Sequence, residues 1–181
     1  WEDAMAFKET FVNAVPASTE KNLDKLGIDL YHQSPKFLDE NTLSVEGKTI
    51  TAKKIVIATG QVPMELPIPG REYALVSDDF LNLKKLPKSM IFIGAGYIGM
   101  EFAHMAARFG VEVTMLDVAP RALTKFDEDM VKYLQETSEE LGIKFIFNAQ
   151  VTGIEKSEKN YCVIAEKDGK EISASAEMVF N

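Results

Sequence analysis

The 181 residues carry 28 acidic and 20 basic side chains, a net charge of −8, with 46% apolar and 27% charged residues. That balance suits a folded domain with a sizeable core and excludes collagen-like and disordered chains. The acidic excess opposes binding to nucleic-acid backbones or anionic membranes, and no apolar run approaches the roughly 20 residues of a membrane helix. A lone cysteine, Cys162, excludes a disulfide framework and a cysteine-rich metal site within the chain, so no metal is expected and a reducing, cytoplasmic setting is. The chain opens on Trp1 and closes on Asn181 after an apolar run, which suggests a segment of a longer protein.

Residues 5–26 show a helical pattern, Phe7, Phe11, Val15, Leu23 and Leu26, that Pro16 should split and Gly27 should stop. Residues 28–58 read as short strands with turns at Asp39–Asn41 and Glu46–Lys48. The β-branched run Lys54–Ala58 reads as a buried strand. Pro63, Pro67, Pro69 and Pro87 mark 61–88 as a connection.

The second half is more regular. Strands are expected at 89–93, 111–117 and 143–147. Helices are expected at 97–109, with Ile98, Phe102, Met105, Ala106 and Phe109 on one face, and at Asp127–Leu141, with acids at its start and Gly142 past its end. Short strands near 150–156, 161–166, 170–174 and 177–180 follow. Alternating strands and helices imply a parallel sheet, so the fold class is α/β. An echo joins the two halves: Gly47-Lys48-Thr49-Ile50-Thr51-Ala52 and Gly169-Lys170-Glu171-Ile172-Ser173-Ala174 are each followed by an apolar run. Two related nucleotide-binding units explain it.

Gly94-Ala95-Gly96-Tyr97-Ile98-Gly99 fits G-x-G-x-x-G between a strand and a helix, which is the context that gives the motif meaning. Gly94 makes the tight turn, Gly96 admits a pyrophosphate to the backbone, and Gly99 packs helix on strand. The helix start then offers free N–H groups to phosphate. Asp117 ends the next strand, 23 residues after Gly94. A carboxylate there accepts hydrogen bonds from ribose hydroxyls and repels a 2′-phosphate, which favours NAD over NADP. Arg121 and Lys125 are the nearby cations able to reach a phosphate.

With Ile55–Gly60 (IVIATG), Ser77-Asp78 before a short helix, and Gly94–Glu101 (GAGYIGME), the chain resembles the flavin-dependent pyridine nucleotide–disulfide oxidoreductases. The resemblance implies a partial FAD-domain segment and crossover at 1–82. It implies a nearly complete Rossmann-like NAD(P)-binding domain, parallel sheet and β-meander, at 83–181. It places Thr59, Gly60 and Gln61 near a flavin nucleotide, Tyr97 over the flavin face where nicotinamide docks, and Glu101 beside the nicotinamide, these last two being the catalytic candidates. Gly94, Ala95, Gly96, Ile98, Gly99, Asp117, Val118 and Val151 would line the dinucleotide, with Val151 on the adenine–ribose side. Arginines at Val118 and Thr124 would mark an NADP enzyme; neither is present.

The implied parent is a homodimeric enzyme that takes hydride from NADH or NADPH to FAD and on to a disulfide, this excerpt being inactive alone. Its partner molecule would be a small dinucleotide. The family's FAD glycine motif and redox cysteine pair do not occur in these residues, and Gln33 and Pro35 depart from its pattern before Phe37. An NADH oxidase, a peroxidase, a ferredoxin reductase or a non-catalytic NAD-binding module therefore stays open.

Overall fold

A computed structural model describes residues 1–181. The chain forms two compact units: Asp3–Val62, and Pro63–Asn181 together with Trp1 and Glu2.

The first unit holds helix α1 (Glu2–Val12) from Asp3 onward and helix α2 (Val15–Lys25), then strands β1 (Lys36–Asp39), β2 (Thr42–Val45) and β3 (Lys48–Thr51) in an antiparallel meander. The break at Asn13 and Ala14 falls just before Pro16, where a proline is tolerated in a first helical turn. Neither helix buries a residue, and Val45 is the one buried side chain of this unit. The expected buried strand at Lys54–Ala58 does not form. That segment has no regular secondary structure, with Val56 87% and Ile57 70% exposed. A β-branched run supplies propensity, yet a strand needs a neighbour to take its hydrogen bonds, and no strand of this unit pairs with it.

The second unit contains β4 (Ala74–Leu75), α3 (Ser77–Leu81), β5 (Ser89–Ile93), α4 (Tyr97–Arg108), β6 (Glu112–Leu116), α5 (Glu128–Glu140), β7 (Lys144–Ile146), β8 (Gln150–Lys156), β9 (Tyr161–Lys167), β10 (Lys170–Ala176) and β11 (Met178–Phe180). Five strands make a parallel sheet in the order β4-β11-β5-β6-β7, and β8, β9 and β10 make a separate antiparallel meander. The two-residue period of a strand sorts the core into two layers. From β5, β6 and β11, Met90, Phe92, Val113, Met115 and Phe180 join one apolar cluster with α4 residues. The alternate residues Ile91, Leu116 and Val179 join the other, with Val151, Ile154, Val163 and Ala165 of the meander. Helices thus cover one face of the sheet and the meander covers the other.

Phe80 on α3 is fully buried in the helix-side layer. It stacks on Phe102 at 4.2 Å and meets Trp1, Phe92 and Phe180 at ring-centre distances of 5.7, 6.1 and 5.6 Å. The half-buried Trp1 donates from Nε1 to the Leu83 carbonyl at 2.6 Å and meets Phe109 edge-on. Asp79 accepts from the Val76 N–H at 2.9 Å, and Asp127 accepts from the Met130 N–H at 3.1 Å, so these acids cap helices.

The sequence echo has a backbone counterpart. Glu46-Gly47 has φ of 51° and 72°, and Asp168-Gly169 has φ of 52° and 71°. Each pair is the two-residue loop of a hairpin, β2–β3 or β9–β10.

The buried face of α4 differs from the expected one. Met100, Phe102, Ala103 and Ala106 are buried, while Ile98, Met105 and Phe109 are 42%, 38% and 50% exposed. Small residues let the helix backbone approach the sheet. A Cβ on Gly99 would lie 2.8 Å from the Gly94 carbonyl oxygen. Close approach decided the face here, over side-chain bulk.

Candidate dinucleotide site

The glycine turn joins β5 to α4. Gly94 has φ of +103°, a conformation that favours glycine, and its N–H donates to the Leu116 carbonyl at 2.7 Å. Gly96 is the N-cap of α4 in an extended conformation, no side chain caps that end, and a Cβ there would meet nothing within 4 Å. The first N–H groups of α4 therefore open onto free space beside a residue with no side chain. This is a fitting cradle for a pyrophosphate.

Asp117 follows β6. Its Oδ2 accepts from the Ala95 N–H at 2.6 Å, and its Oδ1 accepts from the Ala119 N–H at 2.8 Å. An ionised carboxylate has about four acceptor positions, so each oxygen keeps one for a ligand hydroxyl. The carboxylate thus binds the glycine turn to the strand end. Val118, beside it, is 62% exposed.

Tyr97 (59% exposed) and the exposed Glu101 lie one turn apart on α4. They line a 570 Å³ cavity with Met100, His104, Leu123 and Phe126 among others. Thr59, Gly60 and Gln61 belong to the first unit, exposed and outside any strand. Val151 is only 7% exposed and sits in the meander-side cluster with Ile91 and Leu116. The structure thus gathers Gly94–Gly99, Asp117 and Val118 at one end of the sheet, and puts Tyr97 and Glu101 along the adjoining helix.

Sequence reasoning missed the loop after Asp117. Leu123 donates its N–H to the Ala95 carbonyl at 2.9 Å, and its φ is +48°. Nothing in a leucine signals that conformation.

His104 reaches from α4 to Ser138 on α5, Nε2 to Oγ at 2.7 Å. Ser138 spends its own hydrogen on the Leu134 carbonyl at 2.6 Å, so the imidazole is the donor. Burial, and secondarily the nearby Arg108 charge, hold this imidazole below its ordinary pKa of 6.5. The unfolded chain then binds the proton more readily, and stability is complete above about pH 6.5 and declines as pH falls through that range. Urea unfolding between pH 7 and pH 5 should show a smaller decline for His104→Gln than for the wild type.

Comparison with known proteins places this geometry in a family. The family model of the pyridine nucleotide-disulphide oxidoreductases matches residues 2–180, and the chain belongs to that family. Glutathione reductase of Nostoc sp. is 37% identical over 134 residues, which is 74% of this chain and 29% of that protein. Dihydrolipoyl dehydrogenase of Mycoplasma pneumoniae is 38% identical over 132 residues, 70% of this chain and 29% of that protein. Among solved structures, the HOCl-induced flavoprotein disulfide reductase RclA from Escherichia coli superimposes with a TM-score of 0.87 at 31% identity, covering 98% of this chain and 41% of that one. The chain therefore spans less than half the length of these proteins. No helix is long and apolar enough to cross a membrane.

Proposed function

We propose that this chain is the nicotinamide-dinucleotide-binding part of an FAD-dependent disulfide oxidoreductase, and that it binds NAD in preference to NADP. One observation carries the reading. The open, side-chain-free N-cap of α4, Gly96, directly follows Ala95, whose N–H donates at 2.6 Å to a carboxylate that still has acceptor positions to offer. The N–H groups of α4 take the pyrophosphate and Asp117 takes the adenosine ribose hydroxyls. Tyr97 screens the nicotinamide end of the cavity, and Glu101 orients the ring there. A bound nicotinamide nucleotide supplies a hydride equivalent, and these residues fix where its ring stands.

Thr59, Gly60 and Gln61 belong to the flavin side in this reading. The first unit has no glycine-rich turn, so its residues do not fit a flavin dinucleotide by themselves, and no electron transfer is derived from them. The parent enzyme works as a homodimer in a reducing cytoplasmic setting.

Calorimetric titration of the 181-residue chain with NADH and NADPH at matched salt tests this. NADH should bind at least about tenfold tighter, because a 2′-phosphate would meet the half-buried Asp117 carboxylate as a like charge. Asp117→Asn should narrow that gap. Tighter NADPH binding, or none of either to a folded chain, overturns the reading.

A further inference from the structure

Arg121 is the cation best placed in sequence to meet a 2′-phosphate, but its guanidinium is already engaged. Nη1 donates to the carbonyls of Ala122 and Leu123 at 3.1 and 3.0 Å, and Nη2 donates to those of Thr124 and Phe126 at 3.2 and 3.1 Å. Four carbonyls of one loop thus converge on one planar fork. The same loop carries Leu123, whose left-handed backbone is held from both sides. Its N–H goes to the Ala95 carbonyl and its carbonyl goes to Arg121. Ala95 in turn gives its N–H to Asp117. Both polar groups of the residue between Gly94 and Gly96 are therefore fixed from the segment after β6.

We propose that Arg121 is a positioning residue for dinucleotide binding and not a ligand of a 2′-phosphate. It gathers the 122–126 carbonyls, keeps Leu123 in its unfavourable backbone region, and through Leu123 sets the orientation of the Ala95–Gly96 peptide that faces the pyrophosphate. The proposal rests on the reading of this turn as a dinucleotide site. Losing Arg121 frees Leu123 to relax to negative φ and release Ala95. That weakens binding of the whole dinucleotide, whichever ribose substituent it carries. Lysine keeps the charge but is a point donor that does not span four carbonyls.

The test combines amide hydrogen exchange with titration of NADH and NADPH, on the wild type, Arg121→Ala and Arg121→Lys. In both variants the Leu123 amide should lose protection while the β6 amides of Val113 and Met115 keep theirs. Affinity for both dinucleotides should fall together, by about tenfold in the alanine variant, with their ratio unchanged. Lysine should not restore it, and this variant decides the matter if the alanine variant fails to fold. Selective loss of NADPH binding with alanine, restored by lysine, would make Arg121 a phosphate ligand and overturn the proposal. Unchanged protection of Leu123 would also overturn it. A wild-type chain that binds neither dinucleotide overturns the reading of the site, and the exchange measurement still decides the clamp on Ala95.

Discussion

Phe80→Ala lowers the unfolding free energy of the second unit by about 3–5 kcal/mol, the usual cost of truncating a fully buried phenylalanine. The mechanism is specific to this position. Phe80 is fully buried and its ring meets four others, from Trp1, β5, α4 and β11. Those neighbours come from separate elements, so they cannot collapse together into the vacated space. Loss of one edge-to-face or stacked partner also removes aromatic contact from each of them. Chemical denaturation followed by the emission of Trp1, the chain's single tryptophan, checks the value. A loss under about 1 kcal/mol would show that the cluster repacks.

Gly99→Val removes dinucleotide binding, with NADH affinity at least about a hundredfold weaker. Even a methyl group at this position would lie 2.8 Å from the Gly94 carbonyl oxygen and 3.4 Å from the Met115 side chain. The obstacle nearest the new atom is backbone, so it cannot swing aside as a side chain would. Helix α4 must retreat from β5, and its first N–H groups leave the turn with it. Titration with NADH reads the loss. Gly96→Ala separates the two glycine roles, because a Cβ at Gly96 meets nothing in the protein. That variant should keep wild-type stability and lose only affinity.

Much of the second unit was legible. Apart from the two-residue β4, which falls in the stretch read as a connection, each of its strands and long helices lies within a few residues of the pattern that announced it, because periodicity and end signals agree there. Asp127 caps α5 and Gly142 follows its end at φ of +95°. The turn and the acid were legible for the same reason: glycine spacing and a strand-end carboxylate are written directly in the residues. Two failures share a cause. The apolar run at Lys54–Ala58 and the run at Met178–Phe180 follow similar hairpins with the same loop backbone. Only the second finds neighbours, β5 on one side and β4 on the other. Propensity is local, but a strand is a pairing, and pairing is not visible in one segment. The clamp on Ala95 was hidden in the same way. Arg121 reads as a cation for a ligand until the loop carbonyls around it are known.

Trp1 is the single tryptophan of the chain, and its indole is tied to Leu83 beside Phe80 and Phe109. All of those neighbours belong to the second unit. Intrinsic tryptophan emission is thus a built-in optical probe of that unit alone, with no label and no substitution. Circular dichroism sums over the whole polypeptide. The distance between an emission curve and a dichroism curve in the same urea series therefore measures how far the two units melt as one cooperative body.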